Sequence, residues 1–61
     1  MIQTPQVVAI DDDAELLKLI AMLLRRVGAQ STTFSDGRAA LAHLAANLPH
    51  LIMLDLMLPE P

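Results

Sequence analysis

Sixty-one residues allow one domain at most, and a chain of this size buries only about 60% of the surface its unfolded form exposes. Cysteine is absent, which excludes disulfides and thiolate metal sites, and His43 and His50 lack zinc-ligand spacing. The net charge of −3 comes with Lys18, Arg25, Arg26 and Arg38 scattered rather than gathered into a patch, so nucleic-acid contact by this segment is not expected.

The chain is 54% apolar, yet its longest uninterrupted apolar run, Leu19 to Leu24, is far below the roughly 18 residues a membrane span needs. The excess must be buried in protein. Met1 to Pro5 lack the basic start and apolar stretch of a signal peptide, which with the absence of cysteine leads us to expect a cytoplasmic protein.

Val7-Val8-Ala9-Ile10 runs straight into Asp11-Asp12-Asp13. Four successive apolar residues without polar alternation fit a parallel strand covered on both faces, with the carboxylates at its C-terminal end. Asp12 or Asp13 can then cap a helix, and Asp12 with Glu15 gives the acid-x-x-Glu form of a capping box. The helix is expected from about Ala14 to Val27, with Gly28 as its stop and Arg25 and Arg26 complementing the negative end of its dipole. Its apolar residues, Leu16 through Val27, cover an arc of roughly 200°, about twice the stripe that one covered face requires. Such a helix expects a second partner.

Ala29 to Phe34 reads as a shorter, more polar strand suited to a sheet edge, because Ser31, Thr32 and Thr33 lie inside it. Ser35-Asp36-Gly37 is a turn and cap rather than a phosphate cradle, since one glycine cannot form a P-loop. A second helix follows from about Arg38 to Asn47, with Leu41, Leu44 and Leu48 at helical spacing and Arg38 and His43 on its wet side. Pro49 helps to end it, and Leu51-Ile52-Met53-Leu54 forms a second apolar strand that runs into Asp55.

The order is therefore β-α-β-α-β. Right-handed crossovers put the helices on opposite faces if the spatial order is 2-1-3, which leaves the polar strand at the edge and the apolar strands adjacent. Other orders remain open from the strand pattern alone; the polarity of Ser31 to Thr33 favours this one. Asp11, Asp12 and Asp55 would then share the crevice where the strand order reverses. Carboxylates about 4 Å apart repel by roughly 4 kcal/mol at an effective dielectric near 20, so their convergence calls for a cation. Magnesium accepts one or two carboxylates, a backbone oxygen and retained waters.

At these residues the chain resembles the receiver domain of two-component response regulators. The resemblance rests on Val7 to Asp13, Phe34 to Leu41, and Leu51 to Pro59, taken in order and at matching intervals. It implies a flavodoxin-like α/β fold and transfer of a phosphoryl group from a sensor histidine kinase, or a phosphotransfer protein, onto Asp55. It further implies Asp55 as acceptor, Asp12 as a direct Mg2+ ligand, Asp11 as a ligand or water-mediated orienter, and the backbone carbonyl of Met57 as a further ligand. Asp13 matches a position that is usually acidic surface or a cap.

A receiver domain of the family continues through about as much chain again, bringing a Ser or Thr after a fourth strand and a Lys after a fifth. Residues 1–61 are accordingly read as its N-terminal half, a phosphoryl-accepting segment of weak activity rather than an enzyme. Lys18, the only lysine, lies in the first helix and does not replace the missing one. The apolar edge at Leu51 to Leu54 predicts self-association. Two other readings stand beside this one: a truncated or engineered half-domain whose role is assembly or folding, with a vestigial acidic site, and a helical phosphotransfer module bearing His43.

Overall fold

The structure is a computed structural model and describes residues 3–55. Strand β1 (Gln6–Ile10) leads into helix α1 (Ala14–Arg26), strand β2 (Gln30–Phe34), helix α2 (Gly37–Ala46) and strand β3 (Leu51–Leu54). The strands form one parallel sheet in the order β2-β1-β3. This is the doubly wound order expected from the polar second strand, and it is a flavodoxin-like arrangement. A helix-bundle phosphotransfer module has no such sheet, so that reading of His43 falls.

β1 is the centre of the core. Val7, Val8 and Ala9 are buried in succession, which requires cover on both faces of the strand. α1 and α2 supply it without touching one another. The helices contribute Leu17 and Ala40 respectively. Ala40 is wholly buried because a side chain of one carbon lets α2 approach the sheet closely, whereas Leu41 points outward. The expected core face of α2 at Leu41, Leu44 and Leu48 is therefore displaced. Leu44 is half-buried, and Leu48, beyond the helix, is 94% exposed.

The ends of α1 follow local chemistry. Asp13 occupies the cap position with extended backbone, and its Oδ1 accepts the Glu15 and Leu16 N–H groups at 3.0 and 3.2 Å. The capping box headed by Asp12 is not formed; Asp13 is the residue whose backbone turns into the helix. At the other end Gly28 takes φ +86°. Its N–H donates to the Arg25 carbonyl and that of Ala29 to the Leu24 carbonyl, the paired closure of a Schellman motif. Asp36 caps α2 through Arg38 N–H at 3.1 Å, as expected of a turn.

β3 departs from its sequence pattern. All four of its residues are exposed, between 37% and 56% for Met53 and Leu54 respectively. Among the helices and strands it touches β1 alone, while both helices lie over β1 and β2. The apolar run thus describes a strand suited to burial whose faces are only partly covered, and whose outer edge has no neighbour, among the described residues. Leu16, Leu19, Met22 and Leu23 of α1 are likewise exposed, in keeping with an apolar arc wider than one packed face.

Candidate metal and phosphoryl-acceptor site

Register brings the acids together. Ile10 pairs with Leu54, so the residues that follow, Asp11 and Asp55, leave the sheet side by side. Backbone bonds pin both: Asp55 N–H donates to the Ile10 carbonyl at 3.0 Å, and Asp11 N–H donates to the Phe34 carbonyl of β2 at 3.1 Å. The chain then turns toward α1. Asp11 Oδ1 accepts the Asp13 N–H at 2.9 Å, a local Asx turn that orients the Asp11 carboxylate and leads into the Asp13 cap.

The result is one carboxylate oxygen from each of Asp11, Asp12 and Asp55, all within 4.8 Å of one another. Asp11 and Asp55 are half-buried and Asp12 is exposed. Beneath them a hollow of about 120 Å³ is lined by Ala9, Ile10, Leu17, Ile20, Met53 and Leu54, together with Asp11 and Asp55. An all-oxygen donor set over an apolar floor suits a small hard cation and is poorly matched to a soft one. Met57 lies outside the described residues. Asp13 is absorbed by its cap, and Lys18 is directed away into an exposed pair with Glu15 at 3.9 Å.

Two features escaped the sequence reading. The His43 ring lies against Phe34 with centroids 5.2 Å apart, so it is half-buried rather than fully solvated. An aromatic residue at the end of β2 was the available signal. His50 accepts the Gln6 N–H at Nδ1, 2.9 Å away and 44 positions distant in sequence, and no local pattern announces such a bond.

Comparison with known proteins agrees with this arrangement. The sequence profile of the response regulator receiver domain matches residues 7–61. The chain is 37% identical over 54 residues to the DNA-binding response regulator MtrA of Mycolicibacterium paratuberculosis, covering 88% of this chain and 24% of that protein. It is 36% identical over 58 residues to TcrX of Mycobacterium tuberculosis, covering 95% and 25% respectively. It is 40% identical over 53 residues to the sensory transduction protein RegX3 of Mycobacterium bovis, covering 87% and 23%. The chain thus spans about a quarter of the length of these relatives. With the β2-β1-β3 parallel sheet and the acids gathered at its C-terminal edge, the chain belongs to the response regulator receiver domain family.

Proposed function

We propose that Asp55 accepts a phosphoryl group from a phosphohistidine of a sensor histidine kinase or a phosphotransfer protein. A carboxylate oxygen of Asp55 attacks phosphorus, the P–N bond of the phosphohistidine breaks, and the imidazole leaves with the electron pair and takes a proton from solvent. The product is an acyl phosphate on Asp55. The segment accepts a group once and does not turn over a substrate, so it is not an enzyme in its own right. The observation that carries the reading is the convergence of Asp11, Asp12 and Asp55 within 4.8 Å.

That donor set fits Mg2+, which when bound neutralises charge on the carboxylates and on the phosphoryl oxygens. Asp11, Asp12 and Asp55 would hold it, with the carbonyl of Met57 as the expected further ligand. Asp12 contributes charge from the exposed side, while the Asx turn at Asp11 limits how its carboxylate can rotate. The hollow beneath the acids has an apolar floor that includes Leu17, Ile20 and Met53. The reading places the protein in the cytoplasm, where a soluble phosphodonor partner would meet it, and no helix among the described residues is long and apolar enough to cross a membrane. This segment itself makes no nucleic-acid contact in the proposed role, because its basic residues form no patch.

The test is incubation of the chain with Mg2+ and acetyl phosphate, followed by intact mass. A slow gain of one phosphoryl group that needs Mg2+ and disappears in Asp55→Asn supports the assignment. A gain that survives Asp55→Asn overturns it. One observation favours a second reading: the exposed apolar strand β3 suits an assembly module with a vestigial acidic site. Absence of any phosphoryl gain, together with no response to Mg2+, would favour that role.

A further inference from the structure

The N-terminal edge of the sheet, opposite the acids, is tied by side chains as well as by the strand ladder. His50 N–H donates to the Gln6 carbonyl at 2.8 Å, and Gln6 N–H donates in return to His50 Nδ1 at 2.9 Å. Gln6 Nε2 donates to Gln30 Oε1 at 2.7 Å, and Gln30 N–H donates to the Pro5 carbonyl at 2.9 Å. Gln30 and Gln6 at the starts of β2 and β1, with His50 immediately before β3, thus form a polar line across the sheet. The Gln6–His50 bond is the member of that line that depends on protonation. Nδ1 can accept only while it carries no proton, which fixes the neutral ring in its Nε2–H tautomer.

We propose that His50 is an acid-released latch: its neutral imidazole fastens the start of β1 to β3, and protonation of the ring replaces the acceptor with a donor facing the Gln6 N–H. Two donors cannot bond, so the latch opens and the first residues of the β1–β3 pair fray. β3 is the strand where this matters, because among the described elements it pairs with β1 alone.

The surroundings contain few groups that could mask the effect. β2 carries no titratable side chain and offers only the neutral amide of Gln30 at this edge. From α1, Arg25 lines the same hollow as Gln6 and Gln30, and its charge stays fixed. From α2, His43 lines the groove on the other side of Gln6, but its ring faces Phe34. The aspartates all follow the C-terminal strand ends, at the far edge of the sheet. No described acidic side chain is bonded to the His50 ring.

The experiment uses the isotopically labelled chain. Ring-nitrogen spectra at pH about 8 should show His50 as the Nε2–H tautomer. On acidification to pH about 5, the protection of the Gln6 amide, corrected for intrinsic exchange, should fall about threefold to tenfold relative to the Val8 amide, as expected for one lost hydrogen bond. His50→Asp, whose carboxylate accepts at both pH values, should abolish that fall, and His50→Asn does the same if the aspartate variant does not fold. His43→Gln should retain it. An Nδ1–H tautomer at the higher pH, or an equal fall in the wild type and in the acceptor variants, overturns the latch. Neither readout involves phosphoryl transfer, so the result is independent of the role assigned to Asp55.

Discussion

Neutralising Asp12 tests the acidic cluster most directly, because its charge can be removed without breaking a cap or a strand bond. With carboxylate oxygens within 4.8 Å of one another, each like-charge pair costs at least about 3.5 kcal/mol at an effective dielectric near 20, before ionic screening. A Debye length of about 8 Å at physiological ionic strength removes roughly half of that, and the exposure of Asp12 removes more. Asp12→Asn eliminates two of the three pairs, those with Asp11 and with Asp55. The net expectation without divalent ions is a gain of about 1 kcal/mol, read as a higher urea midpoint at unchanged slope.

Magnesium should reverse the ranking. A ligand that binds only the folded chain stabilises it by RT ln(1 + [L]/Kd), and the wild type should gain with each decade of Mg2+ above Kd. The variant, lacking one carboxylate of the donor set, should need at least about tenfold more Mg2+ for the same gain. The assay is a pair of urea titrations at fixed protein concentration, one with chelator and one across a Mg2+ series. An Asp12→Asn variant that is no more stable than wild type in chelator, and that responds to Mg2+ at the same concentration, would refute the reasoning.

Two further outcomes follow from the packing. Gly28→Ala should destabilise by about 1 kcal/mol, because φ +86° is strained for any residue with a Cβ, while the added carbon itself meets nothing within 4 Å; an unchanged urea midpoint would contradict this. The exposed strand β3 should drive association between chains, so sedimentation should show species larger than monomer that Ile52→Lys shifts toward monomer. A monodisperse wild-type monomer with a cooperative melt would oppose that expectation.

The parts of the fold that were legible in the sequence are those fixed by local composition. The apolar runs at Val7–Ile10 and Leu51–Leu54 mark strands because no helical period fits them, and Ser31 to Thr33 mark an edge because hydroxyl side chains do not suit the centre of a doubly covered sheet. The order β2-β1-β3 is favoured by those two facts together with crossover handedness, and it is the order observed. Once Ile10 and Leu54 are neighbours, the meeting of Asp11, Asp12 and Asp55 follows as well.

What was not legible depends on geometry that composition does not encode. An apolar run states what a strand is suited to, not what lies over it, so the exposure of β3 could not be read from Leu51 to Leu54. Asp12 and Asp13 are chemically equivalent as caps, and only the backbone turn at Asp13 decides between them. On α2, leucine spacing pointed to one face while close approach selected Ala40. The His50–Gln6 bond joins positions that the sheet alone brings together.

The acidic cluster and the polar line occupy opposite ends of one strand pair, and this couples them through register. Side chains alternate along a strand, so a slip of one residue between β1 and β3 would send Leu51 to Leu54 to the opposite faces and carry Asp55 away from Asp11. Against such a slip β3 has no helix over it and no outer neighbour among the described residues. Its register is instead held at both ends, by Asp55 N–H on the Ile10 carbonyl and by the two-way exchange between His50 and Gln6. Along β1 the two anchors lie about 13 Å apart, the rise of four residues from Gln6 to Ile10. Positioning of Asp55 therefore draws on a contact remote from it. A substitution at His50 that removes the acceptor should loosen the acidic cluster without touching any of its carboxylates.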